Sequence, residues 1–297
     1  MKRSDLAILK ATGAVTFWGA SFTATKVAVG EVSPLTLLWM RFGIGILCLG
    51  LIMKLKKQPF SMPFKGLRDF ALLGFIGIFL HNFIQSSGLR TAEASVSVVI
   101  LASTPIVIAI LGFIFLSENI SLIQIMGILI AACGVVTVLS RGDLSVFLSI
   151  GFHDTGEILV IGSVFTWAIF SVFSKGKLRY YPPDLAMFFA MTSGWILASL
   201  PFYLSGGFYE LPGISVEAWL SILFLGIFCS ALGYFFWYDA LSYLPASRVG
   251  IFLYLSPLVG VSVAALFLGE NVTFSVVLGG IMILFGVAMV NYRRSSS

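Results

Sequence analysis

Ten apolar runs, separated by short polar joins, make up most of this chain. They fall at about 7–29, 34–53, 68–89, 92–116 and 121–140, and again at about 157–178, 183–204, 216–242, 246–268 and 273–292. A helix needs roughly 20 residues to cross the hydrocarbon core of a bilayer, so each run predicts one transmembrane helix. Several joins carry helix-ending residues, as in Gly30-Glu31-Val32-Ser33-Pro34 and Tyr181-Pro182-Pro183. The longer polar gaps lie near 54–67, 141–156 and 205–215, and each is too short for a soluble domain. The pattern predicts an all-α integral membrane protein of ten transmembrane helices.

The second five runs repeat the first five. Trp18, Lys26 and Pro34 are matched 149 positions later by Trp167, Lys175 and Pro183. Further on the offset is 152. Leu73-Gly74 then matches Leu225-Gly226, Ala94-Ser95 matches Ala246-Ser247, and Pro105 matches Pro257. Glu118-Asn119 likewise matches Glu270-Asn271, and Gly127 and Gly134 match Gly279 and Gly286. The repeats are read as 1–150 and 151–297. Five helices per repeat is an odd number, so the second repeat enters the membrane upside down relative to the first. Two inverted five-helix repeats are a transporter architecture, with the site near midplane between them.

Charge sets the orientation. With the amino terminus in the cytoplasm, 14 of the 18 Lys and Arg fall on the inner side. The outer joins then carry Glu31, Glu93, Asp143, Asp154, Glu157, Glu210, Glu217 and Glu270, with Arg90 and Arg141 as the clear cations. This asymmetry follows the positive-inside rule and predicts that both termini are cytoplasmic. The net charge of +5 therefore reports topology, and no nucleic-acid partner is expected. Charged residues are 10% of the chain against 59% hydrophobic, so its solvent is the lipid bilayer. Cys48, Cys133 and Cys229 lie in apolar runs and read as buried thiols.

Trp18 in a first helix, the short turn at Pro34, and Ala94-Ser95 leading to Pro105 and Glu118 resemble one EamA-type unit. The whole chain resembles a two-unit, ten-helix member of the drug/metabolite transporter superfamily. The resemblance implies a basket in which helices one, three, four, six, eight and nine line a central cavity. Helices five and ten would pack at the periphery, in some members within a homodimer. It also implies a small-molecule substrate, most often an amino acid exported from the bacterial cytoplasm across the inner membrane. Other members carry nucleotide sugars or organic phosphates.

Polar groups at membrane depth are costly, so each is a candidate for the site. The third run carries His81, Asn82 and Gln85. His81 and Gln85 stand four apart, on one helix face that could bind a zwitterion, and His81 is the candidate proton carrier. The same residues could serve only to bond neighbouring helices. The matching stretch of the eighth run is aromatic, Tyr234 to Tyr238, with Tyr234 equivalent to Asn82. Tyr234 and Tyr238 would share a stripe suited to an apolar or cationic body, or else form an interfacial belt. Asp239 beside them would be neutralised by a cation such as Arg248.

Trp18 and Trp167, with Ser21 and Ser171 after them, read as cavity or packing positions. Ser103 and Pro105, and Tyr254 and Pro257, mark mid-helix breaks. The two prolines are candidate hinges, because a proline frees a backbone carbonyl and bends the helix. Arg41, seven residues into the second helix, reads as a structural ion pair or carbonyl contact rather than a carboxylate binder. Glu118-Asn119 reads as the end of one helix and the cap of the next.

No HExxH, GxSxG or GxxxxGK[ST] sequence occurs, and no paired intramembrane aspartates. Neither an enzyme nor an ATP-driven pump is expected, nor any metal or cofactor. The function read from the chain is secondary transport by alternating access, most often export of amino acids or other small metabolites. A drug or organic-cation exporter, a nucleotide-sugar or organic-phosphate exchanger, and a membrane receptor are the alternatives. The driving force is a proton through His81 or the substrate gradient alone.

Overall fold

The computed structural model describes residues 3–91, 100–139, 155–268 and 274–291. Ala94-Ser95, His153 and Glu270-Asn271 lie outside the described residues, as does the side chain of Lys26. Among the described residues all regular structure is helical. The helices are α1 (Arg3–Val29), α2 (Pro34–Leu55), α3 (64–91), α4 (Thr104–Leu116), α5 (Leu122–Leu139), α6 (Thr155–Lys177), α7 (Pro183–Leu204), α8 (Val216–Tyr243), α9 (246–268) and α10 (Phe274–Asn291). Seven are long and apolar enough to cross a membrane, and α4 and α5 are shorter apolar helices.

Local sequence explains several ends and irregularities. Ser33 caps α2 by accepting the Thr36 amide, with Pro34 in the first turn where its missing N–H costs nothing. Pro183 occupies the same place in α7. Both α3 and α8 contain a π-helical stretch, Phe75–Leu80 and Leu225–Gly233, at equivalent positions of the two halves. Such stretches recur at functional sites, and here they lead directly into His81 and Tyr234.

The packing is a two-fold exchange between the halves. Helix α2 packs on α7, α1 on α8 and α9, and α6 correspondingly on α3 and α4. Helix α5 packs on α10 through glycines that let the backbones touch. A Cβ at Gly134 would stand 2.7 Å from the Gly279 carbonyl oxygen, and one at Gly127 would stand 2.8 Å from that of Gly286. The low number of one helix thus meets the high number of the other, so these equivalent helices run antiparallel. That geometry is the inversion expected from the odd helix count.

The side at which α1 begins and α10 ends, the terminal side, is tied together across the halves. Lys10 pairs with Asp239 at 2.7 Å, Lys56 with Asp184 at 3.2 Å, and Lys177 with Asp69 at 2.6 Å. The Asp239 partner is therefore Lys10, while Arg248 donates to Asn291 of α10. Sequence order suggested Arg248, but α1 lies alongside α8 and brings Lys10 closer. Glu118 also departs from its expected part. Its carboxylate accepts from the Ser247 amide at 3.0 Å, the Ser247 hydroxyl at 2.7 Å and the Ala246 amide, so it caps α9 of the other half. The start of α5 is closed by a reciprocal Ser121–Gln124 pair instead.

On the distal side Glu31 accepts from the Ser215 amide and hydroxyl. These bonds hold its carboxyl below the usual carboxylate range. Among the described residues the distal side has no ion pair between the halves. Of the three thiols, Cys229 is buried and Cys48 half-buried. Cys133, expected inside, faces outward from α5.

Candidate functional site

Within the bundle lies a cavity of about 440 Å³. Its walls come from α1, α3, α4, α6, α8 and α9, with Arg41 added by α2 and Val135 by α5. Its floor is aromatic. The Trp18 ring stands 5.3 Å from Trp167, 5.5 Å from Tyr234 and 5.4 Å from Trp237. Trp237, Phe170 and Tyr238 close that floor from the terminal side as a buried plug. From the floor the cavity reaches distally past Ser21 and Gln85 to Thr25 and Val29 on α1.

The pseudo-two-fold axis passes through the floor. Trp18 and Trp167 are equivalents and touch each other. Asn82 and Tyr234 are equivalents too, and the Asn82 amide donates to the Tyr234 hydroxyl at 3.3 Å. Pro105 and Pro257 both reach the cavity wall. Pro105 lacks the N–H that Leu101 would otherwise accept, and Thr104 repairs this by donating its hydroxyl to the Leu101 carbonyl at 2.6 Å. Around Pro257 the chain instead forms a 3-10 turn, Ile251–Tyr254, and the Ser256 hydroxyl reaches Val15 of α1 at 3.3 Å.

Trp18, Ser21, His81, Asn82, Gln85, Trp167, Tyr234, Tyr254, Pro105 and Pro257 all lie on the cavity wall. Three other candidates do not. Ser103 turns back to the Ile100 carbonyl at 2.6 Å. Ser171 is buried beneath the floor, where it accepts from the Trp237 indole at 3.4 Å, and Tyr238 bonds Ser174 at 2.7 Å in the plug. The expected shared stripe of Tyr234 and Tyr238 thus divides between wall and plug.

His81 is buried, and its Nδ1 donates to the Ser163 carbonyl at 3.0 Å. A carbonyl only accepts, so this contact favours the tautomer with the proton on Nδ1, beside the Thr166 hydroxyl at 3.3 Å, and leaves Nε2 to take a second proton. Arg41, read from sequence as a structural ion pair or carbonyl contact, makes neither among the described residues and lies on the cavity wall. Its contacts are Ser230, at 3.0 Å from Nε, and the Phe42 ring. Two buried polar atoms of wall residues, Trp167 Nε1 and the Tyr254 hydroxyl, have no hydrogen-bond partner among the described residues. Sequence reading missed Ser163 and Ser230, which present only their types to a linear scan.

A bundle of inverted repeats around a central cavity is an architecture of membrane transporters. The EamA-like transporter family model matches residues 5–140 and 154–292, and the chain belongs to that family. It is 32% identical to an uncharacterized transporter of Archaeoglobus fulgidus, over 94% of this chain and 96% of that one. It is 29% identical to a probable amino-acid metabolite efflux pump of Salmonella typhimurium, over 97% and 94% of the two chains. A solved crystal structure covering 98% of both chains superposes with a TM-score of 0.80 at 19% identity, which shows the same fold.

Proposed function

We propose that this protein is a secondary exporter of small metabolites, amino acids foremost, working by alternating access across the cytoplasmic membrane with both termini inside. The observation that carries this reading is the cavity itself. It is sealed on the terminal side by the aromatic plug, three ion pairs between the halves and the Glu118 cap, while it reaches toward the distal side. In an inverted repeat, the two halves can exchange conformations. The plug would then form from the equivalent residues of the other half, and the cavity would face inward. Pro105 and Pro257 supply the bending points on opposite walls.

A cavity of about 440 Å³ sits at the small end of the range for ligand pockets, roughly 300–1,000 Å³. That size suits an amino acid better than a nucleotide sugar. The efflux-pump relative supports the same substrate class. The Lys and Arg asymmetry supports the orientation.

The test is counterflow into proteoliposomes with a panel of amino acids, organic cations and organic phosphates. Saturable exchange of an amino acid is expected; exchange confined to phosphates or cations would overturn the assignment. His81 is proposed as the proton carrier, through its Nε2. His81→Ala is expected to abolish the pH-dependence of transport while retaining counterflow, and an unchanged pH profile would remove the proton from the mechanism.

A further inference from the structure

We infer that Arg41 is the recognition group for a substrate carboxylate, and that the substrate is a monocarboxylate with a compact apolar or aromatic body. This deepens the transport reading and rests on it.

Arg41 is the one Lys or Arg on the cavity wall, and no Asp or Glu lines that wall among the described residues. The described ion pairs of the bundle leave it out. Its Nε donates to Ser230 and its guanidinium lies over Phe42 at 5.0 Å. The Nη1 and Nη2 groups make no hydrogen bond among the described residues, so four N–H donors remain for a ligand.

The fold does not require a cation at this place. The equivalent of Arg41 in the second half is Ala190, and the equivalent of Ser230 is Ile78. Both are fully buried at the matching crossing of α7 and α3. The same backbone geometry is thus held once by an apolar pair and once by a polar one. The polar version faces the cavity.

A guanidinium without a counter-ion at membrane depth is unfavourable, and a carboxylate would answer it with two parallel N–H···O bonds. Gln85 and Ser86 add polar side chains to the same wall, while Trp167 Nε1 and the Tyr254 hydroxyl are buried within it without a partner among the described residues. The rings of Trp18 and Trp167 give the same cavity an apolar surface. A wall that carries the Arg41 guanidinium and, among the described residues, no carboxylate selects for acceptors on the ligand, so a carboxylate is matched and a lone amine is not.

The experiment is equilibrium binding to the full chain in lipid nanodiscs, read by tryptophan fluorescence, with three probes sharing one ring. These are phenylalanine, its 2-oxo acid phenylpyruvate, and phenylethylamine, which lacks the carboxylate. One or both acids are expected to bind and the amine not to. Which acid binds tells whether the ammonium contributes. Arg41→Gln should weaken acid binding about 10- to 100-fold, and Arg41→Lys should restore part of it, which separates recognition from misfolding.

Amine binding equal to that of the acids, unchanged acid affinity in Arg41→Gln, or no binding of any probe would each overturn the inference. The same proteins in counterflow keep the two readings apart. Saturable exchange that favours amines would leave the transporter standing and remove Arg41 as its anion site.

Discussion

The two halves share a backbone and differ in what equivalent positions face. Distal of the floor, Ser21, Thr25, Gln85 and Ser86 line the cavity. Their equivalents on the terminal side are Phe170, Ser174, Trp237 and Tyr238, and all four are buried in the plug. At the axis the pairs Trp18 with Trp167 and Asn82 with Tyr234 meet one another. The polar set belongs to the first half and the aromatic set mostly to the second. A solute arriving from the distal side meets serines, a glutamine and Arg41; exchange of the halves would present it to tryptophan and tyrosine faces on the other side. The two mouths of one transporter therefore need not have the same affinity.

The sharpest break of this comparison is at Gln85 and Trp237, one position in two settings. Trp237→Ala should cost about 3 kcal/mol through lost packing in the plug, whereas Gln85→Ala should stay within about 0.5 kcal/mol. Melting of the purified variants measures both, and equal losses would contradict the division into wall and plug.

A smaller effect is expected at the helix crossings. A Cβ at Gly74 would collide with the Ala190 carbonyl oxygen, a backbone atom, while at Gly226 it would lie 2.6 Å from the Ile44 side chain. Gly74→Ala should therefore destabilise by about 1–3 kcal/mol and Gly226→Ala by less, on the same melting scale. The reverse order would mean that the α2–α8 crossing is the more rigid one.

Smaller still is the Glu118 cap. Glu118→Gln removes the charge and one acceptor, so the amides of Ala246 and Ser247 should exchange hydrogen about tenfold faster. Unchanged protection there would show that the cap does not hold the terminal side closed.

The helices, the duplication and the axis residues were legible in the sequence because each leaves a linear trace. Apolar length marks a span, and the matched Trp18 and Trp167, or Pro105 and Pro257, mark the symmetry. Partners between the halves left none. Glu118 and Ala246 are 128 positions apart, and Lys10 and Asp239 are 229 apart. Their pairing follows only from which helices lie side by side. The π-helical stretches change hydrogen bonding without changing composition, so Phe75–Leu80 read as ordinary helix. Ser171 and Tyr238 were placed on the cavity because their residue types and spacing match those of wall positions, and only the packing of α6 against α8 shows that they bond Trp237 and Ser174 beneath the floor. Arg41 was read as an ion pair or carbonyl contact because a buried charge ordinarily has one; that no carboxylate lines the surrounding wall among the described residues is visible only in the fold.

The most direct test of the exchange uses Thr25 and its equivalent Ser174, one on the cavity wall and the other fully buried on the terminal side. Each is replaced by cysteine in a background lacking the native thiols, and a membrane-impermeant thiol reagent is applied to one side at a time. Thr25→Cys should react from the distal side and Ser174→Cys from the terminal side, and a substrate gradient should raise one rate as it lowers the other. Rates that rise together, or a Ser174→Cys that never reacts under any gradient, would contradict alternating access by exchange of the two halves.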